Sequence, residues 1–334
     1  MLNLVAKRNW FYLLSALVVL PGVISLLIPP RLKPGIEFTS GTTFSFRYKE
    51  ATSTDAVKKL LSDLGHPEAQ VQSSSNNEFV VQTKEIGGSS TIPPVGPSLP
   101  SEKDKIENSL SKDNGGFLDS AGQPTTQFIE FSSVSAAVSK QIGRNAAIAV
   151  VIASIAITLY ITWSFSNVPN SLRYGVSAIV ALLHDVLLVV GIFSILGKLF
   201  DIQVDTFFIT ALLTVVGFSV HDSIVVFDRV RENVARGIIR SFPDCVNHSL
   251  LQTMGRSFNT SLTLIFSVLA LLLLGGSSIK DFLIALLVGM STGAYSSIFI
   301  ASMFLVTWQQ GDIPRLWRRI TGRQNVARPA EAAE

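Results

Sequence analysis

Apolar and polar positions alternate along the chain on a scale of about 20 residues, the length a helix needs to cross a hydrocarbon layer about 30 Å thick. Six stretches have that length and few charges: Trp10–Ile28, Ala146–Trp163, Tyr174–Leu196, Thr206–Phe227, Phe258–Leu274 and Phe282–Trp308. The fifth is the shortest and has a polar beginning (Ser257, Asn259, Thr260, Ser261, Thr263), and a tight hairpin at Gly275–Asp281 separates it from the sixth. The first stretch follows Lys7 and Arg8, as a signal peptide would, but it reaches Pro29 without a small-x-small cleavage site. It is therefore read as a retained span.

The shorter period belongs to the region between the first two spans. Thr42–Tyr48 alternates as a strand, with Phe44 and Phe46 on one face. Asp55–Leu64 places Val57, Leu60, Leu61 and Leu64 at helical spacing, with Gly65 as its stop. Ala69–Gln72, Glu78–Thr83 and Phe128–Phe131 read as further strands, and Val134–Asn145 as a helix entering the second span. Residues 87–122, rich in Ser, Pro, Gly and charge, read as an irregular, flexible insertion. The expected architecture is mainly α: a polytopic membrane protein with six transmembrane helices and one small α+β extracytoplasmic domain. The boundaries are 1–29 for the N-terminus and first helix, 30–145 for the outside domain, 146–308 for a five-helix bundle and 309–334 for a basic tail.

Composition sharpens this. Of 334 residues, 48% are hydrophobic and 15% charged, against about 25% charged in a typical soluble domain, and the mean hydropathy is +0.42. Too few polar side chains remain to cover a water-facing enzyme or a disordered chain. Cys245 is the single cysteine, which excludes an intrachain disulfide. The basic residues gather beside apolar segments, which points to lipid headgroups and not to nucleic acid. With the N-terminus inside, the inner flanks hold Lys7, Arg8, Arg173, Arg229, Arg231, Arg236, Arg240, Arg315, Arg318, Arg319, Arg323 and Arg328. The outer flanks hold only Arg31, Lys33, Lys140, Arg144, Lys198 and Lys280. This asymmetry predicts both termini in the cytoplasm.

Ionisable side chains inside a bilayer are costly and read as functional groups with partners. His184 and Asp185 fall mid-way along the third span, His221 and Asp222 in the fourth, and Arg256 just before the fifth. The fourth span descends and the fifth returns, so Asp222 and Arg256 share a level. Two readings stand for them: a static bridge, or a carboxyl that takes up and releases a proton under the arginine's influence. Asp185 is balanced between orienting helices and proton exchange, and the two histidines between relay and packing. No spacing suggests a metal site, and no cofactor loop, nucleophile with its base, or nucleic-acid surface is present. Gly289, Gly293, Ser297 and Ala301 form a smooth ridge for close helix approach, against this chain or another. Beyond Phe227, the run Asp228–Asn233 followed by Val234, Ile238 and Ile239 reads as a helical extension and an amphipathic segment on the inner face.

Several of these segments resemble one family. Gly35–Thr42 (GIEFTSGT) is similar to the G-I-D-F-x-G-G segment that follows the first span of SecF proteins, with Glu37 in place of Asp and Ser40 in place of Gly. Ala181–Val186 (ALLHDV) resembles the third-span motif, and Val216–Asn233 the long fourth-span signature, including Gly217, Asp228, Arg229, Arg231 and Glu232. His221 stands where Asn is common. Arg256–Ser261 followed by Thr263 is similar to the start of the fifth span. The chain is thereby identified as a member of the SecD/SecF family, within the RND superfamily. The resemblance implies an RND-like membrane bundle and a non-enzymatic subunit that pairs with SecD, associates with the SecYEG channel and uses the proton-motive force to move preproteins outward across the bacterial cytoplasmic membrane. It associates the positions of Asp222 and Arg256 with proton transport, with Asp185 alongside. A proton-coupled RND-type exporter subunit and a scaffold with a purely structural charged pair are the competing expectations.

Overall fold

The computed structural model describes residues 3–73, 77–86, 101–112, 116–119, 121–165, 171–237, 239, 241–276 and 279–311. Among the described residues, six helices are long and apolar enough to cross a membrane: Val5–Leu27, Ala136–Ser164, Ser171–Phe200, Thr206–Arg236, Phe242–Leu274 and Lys280–Gln309. Together with one small antiparallel sheet they give the mainly α class expected. The first contains a 3₁₀ turn, Val5–Lys7, and helix α1, Arg8–Leu27.

The sheet lies in the region after α1. A short helix α2 (Ile36–Thr39) leads into strand β1 (Gly41–Tyr48), then helix α3 (Thr54–Asp63), β2 (Gln70–Ser73) and β3 (Glu78–Thr83). Helix α4 (Glu102–Lys112), β4 (Phe117–Leu118), β5 (Pro124–Thr125) and β6 (Glu130–Val134) follow. β1 is the centre. It pairs antiparallel with β3 from Thr42↔Thr83 to Arg47↔Glu78, with β6 from Gly41↔Val134 to Ser45↔Glu130, and with β4 at Arg47↔Leu118 and Tyr48↔Phe117. The strand period puts Phe44, Phe46 and Tyr48 on one face, where they are buried with Phe79, Phe117, Val57 and Leu61.

Part of the stretch expected to be irregular is ordered. Within 87–122, α4 buries Ile106 and Leu110 into this same aromatic core, and Phe117 of β4 fills the end of it. Two apolar side chains one helical turn apart suffice to seat a helix whose other residues are polar. Residues 87–100 lie outside the described residues.

The remaining spans are α5 (Ala136–Ser164), α6 (Ser171–Phe200), α7 (Thr206–Arg236), α8 (Phe242–Leu274) and the sixth, which comprises α9 (Lys280–Ser296), a π-helical turn Ser297–Ala301 and α10 (Ser302–Gln309). α6, α7 and the sixth span form the buried centre of the bundle, while α1, α5 and α8 turn most of their apolar surface outward. The small-residue ridge meets this chain: a Cβ on Gly289 would fall 2.2 Å from Val215 of α7, and one on Gly293 3.3 Å from Ser219. α1 crosses α6 through backbone contact, since a Cβ on Gly22 would sit 2.8 Å from the Cα of Gly191. Ser25 and Ser194 share a hydrogen bond of 2.8 Å at the same crossing.

A strap ties the sheet domain to the bundle. Lys33–Gly35 runs beside the α6–α7 connection as a parallel bridge, with Gly35 N donating to the Val204 carbonyl (2.8 Å) and Val204 N to the Lys33 carbonyl (2.7 Å). Lys33 pairs with Asp201, and Gln82 of β3 with Gln203. Asp205 caps α7 by accepting from Phe208 N at 2.7 Å. Burial pushes the carboxyls of both Glu37 and Asp205 above their ordinary values, and Asp205 raises Glu37 further by like charge. A carboxyl whose native value is raised binds its proton more readily folded than unfolded. The strap is thus unpenalised at pH below the ordinary carboxyl range and loses stability as pH rises through the raised native values. Amide exchange at Gly35 and Val204, corrected for its intrinsic pH dependence, is expected to quicken over that rise in the native chain and to stay level in the Glu37→Gln, Asp205→Asn variant.

Candidate functional site

The buried charges cluster on the three central spans. Asp185, on α6, is completely buried. Its Oδ2 accepts from Ser219 Oγ of α7 (2.6 Å) and from Ser296 Oγ of α9 (2.6 Å), and its Oδ1 lies 3.0 Å from His184 Nδ1. One carboxylate therefore joins three helices. Removing it would strand the Ser219 hydroxyl among apolar side chains, while Ser296 keeps the Gly293 carbonyl in reach at 3.3 Å, and a buried unsatisfied group costs about 1–3 kcal/mol.

Asp222 sits one turn beyond Ser219 on α7 and is 3% exposed. Its environment is the opposite: Oδ2 has no hydrogen-bond partner. Facing it across α8 are Ser261, with Arg256 and its own neighbour His221 supplying nearby charge. Ser257 and Ser261 both bury hydroxyls that make no hydrogen bond. Of these two hydroxyls, that of Ser261 lies near enough to the carboxyl to act as a donor to it.

Arg256 is not placed as the apolar pattern suggested. It lies inside α8, which begins at Phe242, and not just ahead of a span. Asp222 precedes the end of α7 at Arg236 by as many residues as Arg256 follows the start of α8, so the two stand at one height in antiparallel neighbours. Arg256 is exposed on the bundle surface, and among the described residues no ion pair joins it to Asp222. His221 is likewise exposed, whereas His184 is half-buried with Nε2 unpartnered.

The rest of the fourth-span signature performs other tasks. Gly217 faces open space. Asp228 pairs with Arg231 (2.5 Å), and Arg231 lies over the Phe165 ring at 6.0 Å. Arg229 bonds Glu232 (2.5 Å) and Gln252 of α8 (2.6 Å), while Asn233 Nδ2 donates to Ser249 (2.8 Å) and Gln252 (3.0 Å). This network locks the lower ends of α7 and α8 together. Ile238 and Arg240 of the amphipathic segment, and the arginines at 315, 318 and 319, lie outside the described residues.

The sequence reading missed the four serines. Ser219 was in plain view three residues before Asp222, and Ser257 and Ser261 recur at helical spacing beside Arg256, which is a usable signal. Ser296 had none. Asp185→Ala is expected to lower the stability of the detergent-solubilised chain by about 1–3 kcal/mol for the stranded Ser219 hydroxyl, whereas Arg256→Ala should leave it within about 0.5 kcal/mol. Parallel denaturation curves of the two variants check this.

Comparison with known proteins agrees with the geometry. The family described as protein export membrane protein SecD/SecF, C-terminal, matches residues 117–311. Protein translocase subunit SecF of Thermobaculum terrenum is 45% identical over 320 residues, covering 96% of this chain and 98% of its own. The SecF of Anaerolinea thermophila is 39% identical, covering 99% and 100%. The crystal structure of SecDF, a translocon-associated membrane protein from Thermus thermophilus, superposes with a TM-score of 0.73 at 30% identity, over 92% of this chain. The chain spans 39% of that longer protein. With near-complete coverage on both sides at such identity, the chain belongs to the SecF family of protein translocase subunits.

Proposed function

We propose that the chain works with a SecD partner and the SecYEG channel to draw preproteins through the bacterial cytoplasmic membrane and release them on the outer side, driven by the proton-motive force. The carrying observation is Asp222: a carboxyl buried in the middle of a membrane helix, with a bare Oδ2 and a cation at its own height on the next helix. Two opposed forces act on such a group. Low dielectric favours the neutral form, the guanidinium favours the charged one, and a small shift of α8 against α7 changes their balance. Proton uptake and release at Asp222 would thereby be tied to helix movement, with Arg256 as the biasing charge and Asp185 as a second proton-exchanging carboxyl.

The exposed side of the same helices supports the partner. Thr210, Thr214, Gly217 and His221 of α7, and Arg256, Asn259, Thr263 and Ser267 of α8, all face outward within apolar spans. Such a polar face is costly against lipid and fits a second helical bundle. The SecDF chain, in which the matching part is well under half, is consistent with that bundle being SecD. The polarity follows from the basic flanks: both termini in the cytoplasm, the sheet domain outside, and the inner arginines against anionic lipid. The strap at Val204, next to the start of α7, would carry movement of that helix to the sheet domain.

The test is export of a preprotein into proteoliposomes holding SecYEG, SecD and this chain. Asp222→Asn should remove the whole proton-dependent part of export while the chain still co-purifies with SecD, and Arg256→Ala should reduce it with stability unchanged. Unaltered proton-dependent export in Asp222→Asn contradicts the proton role. Joint loss of stability and export in Arg256→Ala would favour a structural pair.

A further inference from the structure

The sixth span changes register half-way along. Between α9 and α10 the π-helical turn Ser297–Ala301 holds one residue more than an α-turn. Serine hydroxyls bond to carbonyls at both ends of it: Ser302 Oγ donates to the Ser297 carbonyl at 3.5 Å, and Ser297 Oγ to the Gly293 carbonyl at 2.8 Å. Both are completely buried.

The turn begins immediately after Ser296, whose hydroxyl has two acceptors in reach. One is Asp185 Oδ2 on α6, at 2.6 Å, and the other is the Gly293 carbonyl of its own helix, at 3.3 Å. A hydroxyl has one proton to donate, so the two compete. A charged carboxylate attracts it about twice as strongly as a neutral oxygen. The groups facing Asp185 are His184 from α6, Ser219 from α7 and Ser296 from α9, and among the described residues no other ionisable side chain bonds to it.

We propose that the π turn is a register switch in the sixth span, with Ser296 the residue that reads the charge on Asp185. With Asp185 charged, Ser296 is held across to α6 and the extra residue stays in the turn. With Asp185 neutral, the hydroxyl returns to the Gly293 carbonyl and the segment relaxes to an α-helix. The proposal rests on the reading of Asp185 as a proton-exchanging carboxyl.

The consequence falls on α1. Expelling one residue from the turn rotates α10 by about 100° relative to α9. α1 is fastened on both sides of the turn: Tyr295 OH donates to the Phe11 carbonyl (2.8 Å), Phe11 stacks on Phe299 (4.3 Å between centroids), and Tyr12 OH shares a 3.1 Å hydrogen bond with Thr307. Rotation keeps the Tyr295 bond and breaks the Tyr12–Thr307 bond. α1 leads directly to the strap that seats the sheet domain, so the charge on Asp185 acts on the domain's anchor.

Solid-state NMR of the isotopically labelled full chain in lipid bilayers reads the register from backbone shifts at 297–301 and from the Tyr12–Thr307 contact. Asp185→Asn and Ser296→Ala are each expected to give α-helical shifts there and loss of that contact, with Tyr295–Phe11 retained. A π turn and intact Tyr12–Thr307 contact in both variants overturn the proposal. Should the variants not fold, a pH titration of the unsubstituted chain serves instead: two interconverting sets of shifts at 297–301 support the switch, and a single π set throughout overturns it. Loss of proton-dependent export in Asp222→Asn together with a fixed π turn removes this inference alone. A switching turn with unaltered export in Asp222→Asn removes the export reading alone.

Discussion

The three central spans of the bundle meet at a carboxyl that water cannot reach. In a hydrocarbon layer no solvent satisfies a polar group, so Asp185 is tolerable only because two serines from two other helices donate to it. That requirement fixes how α6, α7 and the sixth span lie against each other. It also explains the small residues around it: Gly293 must let α9 approach Ser219, and Gly289 must admit Val215, for the serine donors to reach. The centre is therefore polar at one point and tightly packed about it.

Asp222 shows what the same residue type becomes when that service is withheld. It is on α7, one turn from Ser219, and almost as deeply buried as Asp185, yet its Oδ2 is unpaired, and Ser257 and Ser261 of α8 bury hydroxyls without a bond. While charged, a carboxylate held by two donors favours the arrangement in which both reach it, whereas Asp222 Oδ2 is held by no hydrogen bond. The proposed division of labour follows from this contrast. Asp222 responds to the relation between α7 and α8, and Asp185 to the hydroxyl it shares with the sixth span.

The six spans were legible because hydrocarbon thickness imposes a length on apolar runs, and β1 and β3 because their alternation matches a half-buried sheet. The helix ends were not. α7 and α8 continue well past the apolar window into charged sequence, held by Arg229, Gln252, Asn233 and Ser249, so Arg256 looked like a flank when it lies inside a helix. α4 was hidden because only Ile106 and Leu110 mark its buried face within a polar insertion. Asp185 and Asp222 stood out at once as charges in apolar sequence, but what distinguishes them is held by serines, which are too common in membrane helices to signal a partnership 34 or 111 residues away. The π turn has no mark in the sequence at all.

The proton site is tested most directly by infrared difference spectroscopy of the full chain reconstituted in lipid, titrated across pH. A carbonyl band of a protonated carboxyl in a dry site should appear, vanish in Asp222→Asn, and titrate at a different pH in Arg256→Gln. A spectrum indifferent to Asp222→Asn would mean that this carboxyl does not exchange its proton, and that its bare oxygen is a cost of packing only.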